Sequence, residues 1–266
     1  MPRGCGQVRG MIASVVGRSI HHSSRLRRME TLFNFVSPPS TCGYLPDQNW
    51  EMEYEIVSGL SAAEYMVRMR NGWRRFGFAM FQPVCSRCQQ CRSLRVLVDQ
   101  FKPTRSQKRC RQTNESAVEL VVGRPHVTQE KLELYDRYHS FQTDFKGWPG
   151  HSPKSPHDYV QSFVDNPFDT EEWCFYIDRK LVGVGYVDAL PAGLSAIYFY
   201  YDPDERDRSL GTWNVLNVIA EATRRKLPHV YLGYYVTGCR SLEYKAKFVP
   251  NQVRLPETGE WVDFLK

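Results

Sequence analysis

The feature that most limits what this chain can fold into is the amphipathic stretch 210–226, bracketed by runs of β-forming residues. Trp213, Leu216, Ile219, Ala220 and Thr223 recur at helical spacing, which predicts one shared face, and Pro228 follows the end. Upstream, 173–177 and 181–189 read as a hairpin turning at Arg179-Lys180, and 194–200 as a third strand closing at Asp202-Pro203. Downstream, 229–234 reads as a strand, 241–246 as a short helix and 261–265 as a strand that closes the sheet. Before the hairpin, the pattern predicts a strand over 117–122, a helix over 128–141, a loop over 146–157 and a helix over 156–165. Strands alternating with helices in this order predict an α/β sheet with helices on its faces.

Residues 31–115 read as a smaller module of mixed structure. A helix is expected over 61–71, with Tyr65, Met66 and Met69 inward and Gly72 as its stop. An aromatic strand over 76–81 ends at Pro83, and a second strand over 93–98 turns Leu94, Val96 and Val98 to one face. Residues 104–113 lack an apolar stripe and read as a short exposed helix or ordered loop. The expected organisation is therefore α+β / α/β: a cysteine-bearing module over 31–115, then a larger domain over 116–266.

Within the small module, Cys85, Cys88 and Cys91 stand three residues apart. Thiolates at that spacing can converge on one centre, but three fall one short of a closed tetrahedral site. Cys42 is the leading fourth ligand and Cys110 the substitute. Four thiolates suit either zinc or an iron–sulfur cluster. The plain alternative is a set of buried free thiols, since free Cys packs as a small hydrophobe. Eight cysteines in 266 residues without a secretory pattern fit a reducing cytoplasm. No apolar run is long enough to predict a membrane-spanning helix.

The net charge of +6 is unevenly placed. Residues 1–30 carry six Arg against Glu30 alone, and are expected to be a basic disordered tail, with Met29 as an alternative start. The more informative density is internal, where Lys102, Arg105, Lys108 and Arg109 follow the cysteines closely. Such a cluster attracts phosphate backbones; its plain alternative is a solvated basic face.

The order from the hairpin through 210–226 to 229–234 resembles the acetyltransferase-type (GNAT) acyl-transfer fold. In that fold the turn before the long helix holds a pyrophosphate, but here Asp204, Glu205 and Asp207 crowd the turn and only Gly211 opens it. A series of motifs points further: Cys42-Gly43-Tyr44-Leu45-Pro46, the three spaced cysteines, Arg105-Ser106-Gln107-Lys108-Arg109, the run 194–203, Ser209-Leu210-Gly211 and the run 232–245. In this order, over roughly 35–250, they resemble the aminoacyl-tRNA–protein transferases of the N-degron pathway, the arginyltransferase family with its bacterial aspartate/glutamate leucyltransferase branch. The compact cysteine cluster is similar to the bacterial branch. The eukaryotic form holds an iron–sulfur cluster on its cysteines, so the resemblance favours iron–sulfur over zinc, in a structural or regulatory role.

The resemblance implies transfer of leucine or arginine from charged tRNA to the N-terminal amine of proteins that begin with Asp or Glu, marking them for degradation. No cofactor is required for that step, because the ester is already activated. Alignment of two bound substrates supplies on the order of 7–11 kcal/mol. Read with the resemblance, Arg240 and Lys245 are the expected cations for the acidic acceptor, and Asp202, Glu243 or the substrate itself the base. Tyr234 is the foremost of the tyrosines, with Tyr198, Tyr200, Tyr235 and Tyr244, that would stack the terminal adenine or bond the ester carbonyl. Ser209 and Gly211 would join Lys102, Arg105, Lys108 and Arg109 in holding tRNA. Two other classes share these features: a coenzyme A-dependent N-acetyltransferase, and a non-catalytic metal-bearing RNA-binding protein.

Overall fold

A computed structural model describes residues 29–265, so all but the last two residues of the expected tail lie outside the described residues. Three sheets organise the chain. The first joins β1 (Thr31–Val36), β4 (Met52–Val57), β5 (Arg74–Phe76) and β6 (Ala79–Pro83) in the order β1-β4-β6-β5. A two-stranded ribbon pairs β2 (Ser40–Thr41) with β3 (Asn49–Trp50). The large sheet has eight strands: β7 (Arg92–Leu97), β8 (Glu119–Gly123), β9 (Thr170–Ile177), β10 (Lys180–Leu190), β11 (Gly193–Tyr201), β12 (His229–Tyr235), β13 (Asn251–Arg254) and β14 (Trp261–Leu265). They lie in the order β14-β13-β7-β12-β11-β10-β9-β8.

The helices are α1 (Ala62–Arg70), α2 (Arg105–Asn114), α3 (Gln129–Lys146), α4 (Pro156–Tyr159), α5 (Leu210–Arg224) and α6 (Arg240–Glu243). Helix α1 starts at a capping box of Ser61 and Glu64, and α2 at one of Thr104 and Gln107, each satisfying two orphan donors. Helix α3 runs past its expected end and stops where Gly147 turns left-handed at φ 65°.

The elements the sequence predicts are largely present, with informative shifts. Residues 76–81 are not one strand: Gly77, at φ 55°, turns β5 into β6 as a hairpin. The strand expected over 93–98 is β7, and it lies inside the large sheet between β13 and β12. The first sheet thus ends near residue 83, while β7 and α2 are built into the larger layer. On α5 the buried face is Leu210, Trp213, Asn214, Val215, Leu216, Val218, Ile219 and Ala222, leaving Ala220 and Thr223 exposed. The wider stripe follows from a helix covering several strands rather than one seam.

Alternation along β11 separates two cores. Phe199 packs into the α5 side with Leu194, Val230 and Leu216. Tyr198 and Tyr200 go to the α3 side with Tyr135, Tyr159, Phe163 and Tyr186. The second core is aromatic and polar-tipped: the Tyr159 hydroxyl lies 2.6 Å from those of both Tyr186 and Tyr200. His139 is buried there, its Nδ1 2.7 Å from the Tyr135 carbonyl and its Nε2 2.8 Å from the Tyr198 hydroxyl. The carbonyl requires a proton on Nδ1, so Nε2 accepts from Tyr198. Burial pushes the His139 pKa down to about 3. The neutral ring thus favours the fold at neutral pH. As pH falls below the ordinary His value the unfolded chain takes up a proton that the fold refuses, and stability declines by ~1.4 kcal/mol per pH unit until the folded pKa is reached. Denaturant titrations at pH 7 and pH 5 should show this loss in the wild type and a smaller one in His139→Gln.

Candidate active site and nucleic-acid face

Strands β11 and β12 pair in parallel only over Gly193, Leu194 and Ser195 against His229, Val230 and Tyr231. Beyond that point they part. Arg74 on β5 and Lys245 after α6 stand at the parting. The Arg74 Nη2 donates to the Ala196 carbonyl on β11 at 2.9 Å, and Lys245 Nζ donates to the Tyr234 carbonyl on β12 at 2.7 Å. The two cations are 6% and 8% exposed. Burial lowers the pKa of both; for Lys245 the nearby Arg74 charge adds to it and brings the value to about 7. A buried amine at that pKa can exchange a proton near neutral pH, which an exposed lysine does not do.

The sequence candidates divide between this place and others. Lys245 and Tyr234 are at the parting, but the Tyr234 hydroxyl is turned to the Gly72 carbonyl at 3.0 Å, tying β12 to the first sheet. Arg240 is exposed on α6 and lies outside the buried cation pair. Glu243 accepts the Gly238 N–H at 2.7 Å, which closes the turn after β12.

Asp202 is fully buried and carries three partners: Lys180 Nζ at 2.8 Å, Arg137 Nη2 at 3.0 Å and the Asp204 N–H at 3.1 Å. Burial alone would raise its pKa, but these partners hold it below the usual value. Its carboxylate caps a turn and is occupied, which argues against a role as base. Tyr198 and Tyr200 are committed to the aromatic core, Tyr235 packs on Phe264, and only Tyr244 remains exposed.

The basic candidates do come together. On α2 the residues Gln107, Cys110 and Asn114 face inward, which turns Arg105, Lys108 and Arg109 outward. Among the described residues neither these three nor Lys102 forms an ion pair, whereas Arg111 is held by Glu115. Asn114 Nδ2 donates to the Arg208 carbonyl at 2.8 Å, and the Cys110 thiol approaches the Arg208 and Ser209 carbonyls. The basic helix is thereby fastened to the start of α5, where Ser209 is exposed and nothing crowds Gly211. Reversing Arg105 and Lys108 to Glu should weaken tRNA binding and reduce the slope of log K against log salt by about 1 for each phosphate no longer neutralised. Filter binding across a salt series measures it; an unchanged slope would remove α2 from the RNA surface.

The thiols gather without closing a site. Cys42 is buried, and Cys85, Cys88 and Cys91 are half-buried. The Cys42 sulfur accepts the Tyr44 N–H and the Cys85 sulfur the Glu51 N–H, each at 3.4 Å. Burial pushes the Cys91 thiol up to about 12, with Cys85, Cys42, Cys88 and Cys239 adding to it. Cys239, absent from the sequence-level set, therefore shares the neighbourhood, and Cys110 belongs instead to the α2–α5 contact. The donors are of the kind zinc and iron–sulfur centres use. Among the described residues, however, no three His, Cys, Asp or Glu side chains stand in metal-holding geometry.

Arg74 is the residue that sequence reasoning passed over. The signal available was two adjacent arginines opening an aromatic strand, a pairing that buries charge on both faces of a sheet.

Against known families, residues 40–109 match the N-terminal part of the arginine-tRNA-protein transferases and residues 130–255 the C-terminal part. The chain is 37% identical to an aspartate/glutamate leucyltransferase of Campylobacter jejuni over 222 residues, covering 82% of this chain and 91% of that one. It is 35% identical to another of that name from Helicobacter hepaticus, covering 86% and 95%. A solved C-terminal domain of a putative lysylphosphatidylglycerol synthetase from Agrobacterium fabrum aligns with a TM-score of 0.44 at 12% identity, over 74% of this chain and 61% of that one. The chain belongs to the arginine-tRNA-protein transferase family.

Proposed function

We propose that this protein transfers an aminoacyl group, leucine or arginine, from charged tRNA to the N-terminal amine of proteins that begin with Asp or Glu. The observation that carries this reading is that both family halves match and that the buried cation pair draws one residue from each, Arg74 and Lys245. The exposed basic face of α2 beside the start of α5 supports tRNA as the donor. The parting of β11 and β12 supports the GNAT-like reading of the large domain, with the ester lying in the gap. The acceptor amine attacks the ester carbonyl, the tRNA hydroxyl leaves, and the amine's proton needs an acceptor. Asp202 and Glu243, whose carboxylates hold turns, are poorly placed to meet that need, which leaves the departing tRNA oxygen as the proton's destination. The reaction belongs where charged tRNA is made, and we place it in the cytoplasm.

Thermal unfolding separates this reading from a coenzyme A-dependent acetyltransferase. A ligand at a hundred times its Kd stabilises by ~2.7 kcal/mol. Aminoacyl-tRNA should raise the Tm and acetyl-CoA should leave it unmoved; the reverse pattern would decide for the acetyltransferase.

The cysteine neighbourhood is our candidate for zinc or an iron–sulfur cluster on Cys42, Cys85, Cys88 and Cys91, in a structural role, since aminolysis of an ester moves no electrons. Protein purified without oxygen should carry metal, and Cys88→Ser should lose both metal and stability. Folded, active protein free of iron and zinc would leave these residues as buried thiols.

A further inference from the structure

Arg74 and Arg75 are neighbours on one short strand, both buried, and their surroundings are opposite. The Arg75 guanidinium is filled: its Nε and Nη2 grip Asp188 at 2.9 and 2.8 Å, and Gly77, Asn166 and Thr170 take further donors. Arg74 has only the Ala196 carbonyl at 2.9 Å and the Met69 sulfur at 3.8 Å among the described residues. Asp188, the carboxylate within its electrostatic reach, is gripped by Arg75 and bonded to Thr170. Lys245 likewise has a carbonyl and, among the described residues, no carboxylate.

The two cations also face each other across a glycine. Gly233, at φ 85°, excludes a side chain between them. An atom at its absent Cβ would lie 3.4 Å from Lys245 Nζ, 3.5 Å from Arg74 Nη2 and 3.6 Å from Arg74 Nε. The Nε–Nη2 edge is the same edge with which Arg75 grips Asp188, and it is the side of a guanidinium that pairs with carboxylates in a fork. Two buried positive groups on either side of one glycine without a counter-charge are costly to hold together, and an incoming anion relieves that cost.

We infer that Arg74, with Lys245 beside it across Gly233, binds the side-chain carboxylate of the acceptor's first residue and sets its specificity for Asp and Glu. This rests on the transfer reaction proposed above. The aminoacyl donor brings no free carboxylate, because its own is esterified. The tRNA phosphates have the exposed face of α2. The acceptor's first residue alone brings a compact carboxylate attached to the attacking amine. Arg74 thus takes the role that the sequence suggested for Arg240.

The test compares two peptides that differ only in an N-terminal Asp or Asn, by fluorescence anisotropy and by transfer from charged tRNA. Wild-type protein should bind the Asp peptide roughly tenfold or more tightly than the Asn peptide. Arg74→Met should bring that ratio close to one while tRNA affinity stays at the wild-type value, and Arg74→Lys should recover part of it. A purely structural role for Arg74 would weaken both peptides equally. Should Arg74→Met not fold, Arg74→Lys and Lys245→Met carry the same comparison. An unchanged Asp-to-Asn ratio in a folded variant, or a loss confined to tRNA binding, would overturn the inference while transfer by the wild type continued. If the wild type binds the Asp peptide through Arg74 yet transfers nothing, the site stands and the reaction proposed for it falls.

Discussion

Asp188→Ala should destabilise the protein by about 3–5 kcal/mol, a large part of the stability of an ordinary domain. The Arg75–Asp188 pair is a fully buried joint between the first sheet and the large one, reaching from β5 to β10. Its side chains are 1% and 0% exposed, so neither charge recovers hydration when the other is removed. Burial works against the Arg75 charge, but Asp188 more than compensates and holds its pKa above the ordinary value. Removing the carboxylate leaves that guanidinium buried beside Thr170, which itself donates to Asp188 at 2.7 Å. Equilibrium unfolding in guanidinium chloride reads the effect as a lowered midpoint. A change below about 1 kcal/mol would mean that the apolar contacts and the Arg74–Ala196 and Tyr234–Gly72 hydrogen bonds hold the two sheets without this pair.

Gly193→Ala should be comparably damaging for a steric reason. A Cβ at this position would stand 2.5 Å from the His229 carbonyl oxygen and 2.9 Å from the Tyr231 ring. The oxygen is backbone and cannot swing aside, so β11 and β12 would be forced apart at the only place where they pair. Overpacking of this kind costs roughly 1–3 kcal/mol, and more where backbone must move. The loss should fall on activity as well as on Tm, because the gap that holds Arg74 and Lys245 opens from this junction. A variant with wild-type stability and full transfer would show that the junction tolerates separation.

Much of the large domain is legible from the chain alone because its periods are strong. The stretch 210–226 follows from spacing that local physics dictates, whereas the hairpin expected at Arg179-Lys180 turns one residue earlier, at Asp178 and Arg179 with φ 47° and 67°, because Lys180 already pairs with Ile177 as the first residue of β10. The membership of β7 in the large sheet is not legible locally. Its partners are β12 and β13, far along the chain, and no feature of Leu94 or Val96 says which sheet they cover. The site shows the same division. The outward basic face of α2 can be read from composition, whereas Arg74 and Arg75 look alike in sequence. Contacts with Ala196 and Asp188, over 100 residues away, make one open and the other saturated. Asp202 shows the converse: the cations that occupy its carboxylate, Lys180 and Arg137, come from two other elements.

The central claim is tested most directly by incubating the protein with leucyl-tRNA or arginyl-tRNA and a peptide beginning with Asp or Glu, then weighing the product by mass spectrometry. The peptide should gain one amino-acid residue at its N-terminus, from one or both charged tRNAs. The gain should vanish with RNase treatment or N-terminal acetylation of the peptide. Folded protein that extends neither peptide from either charged tRNA would contradict the account.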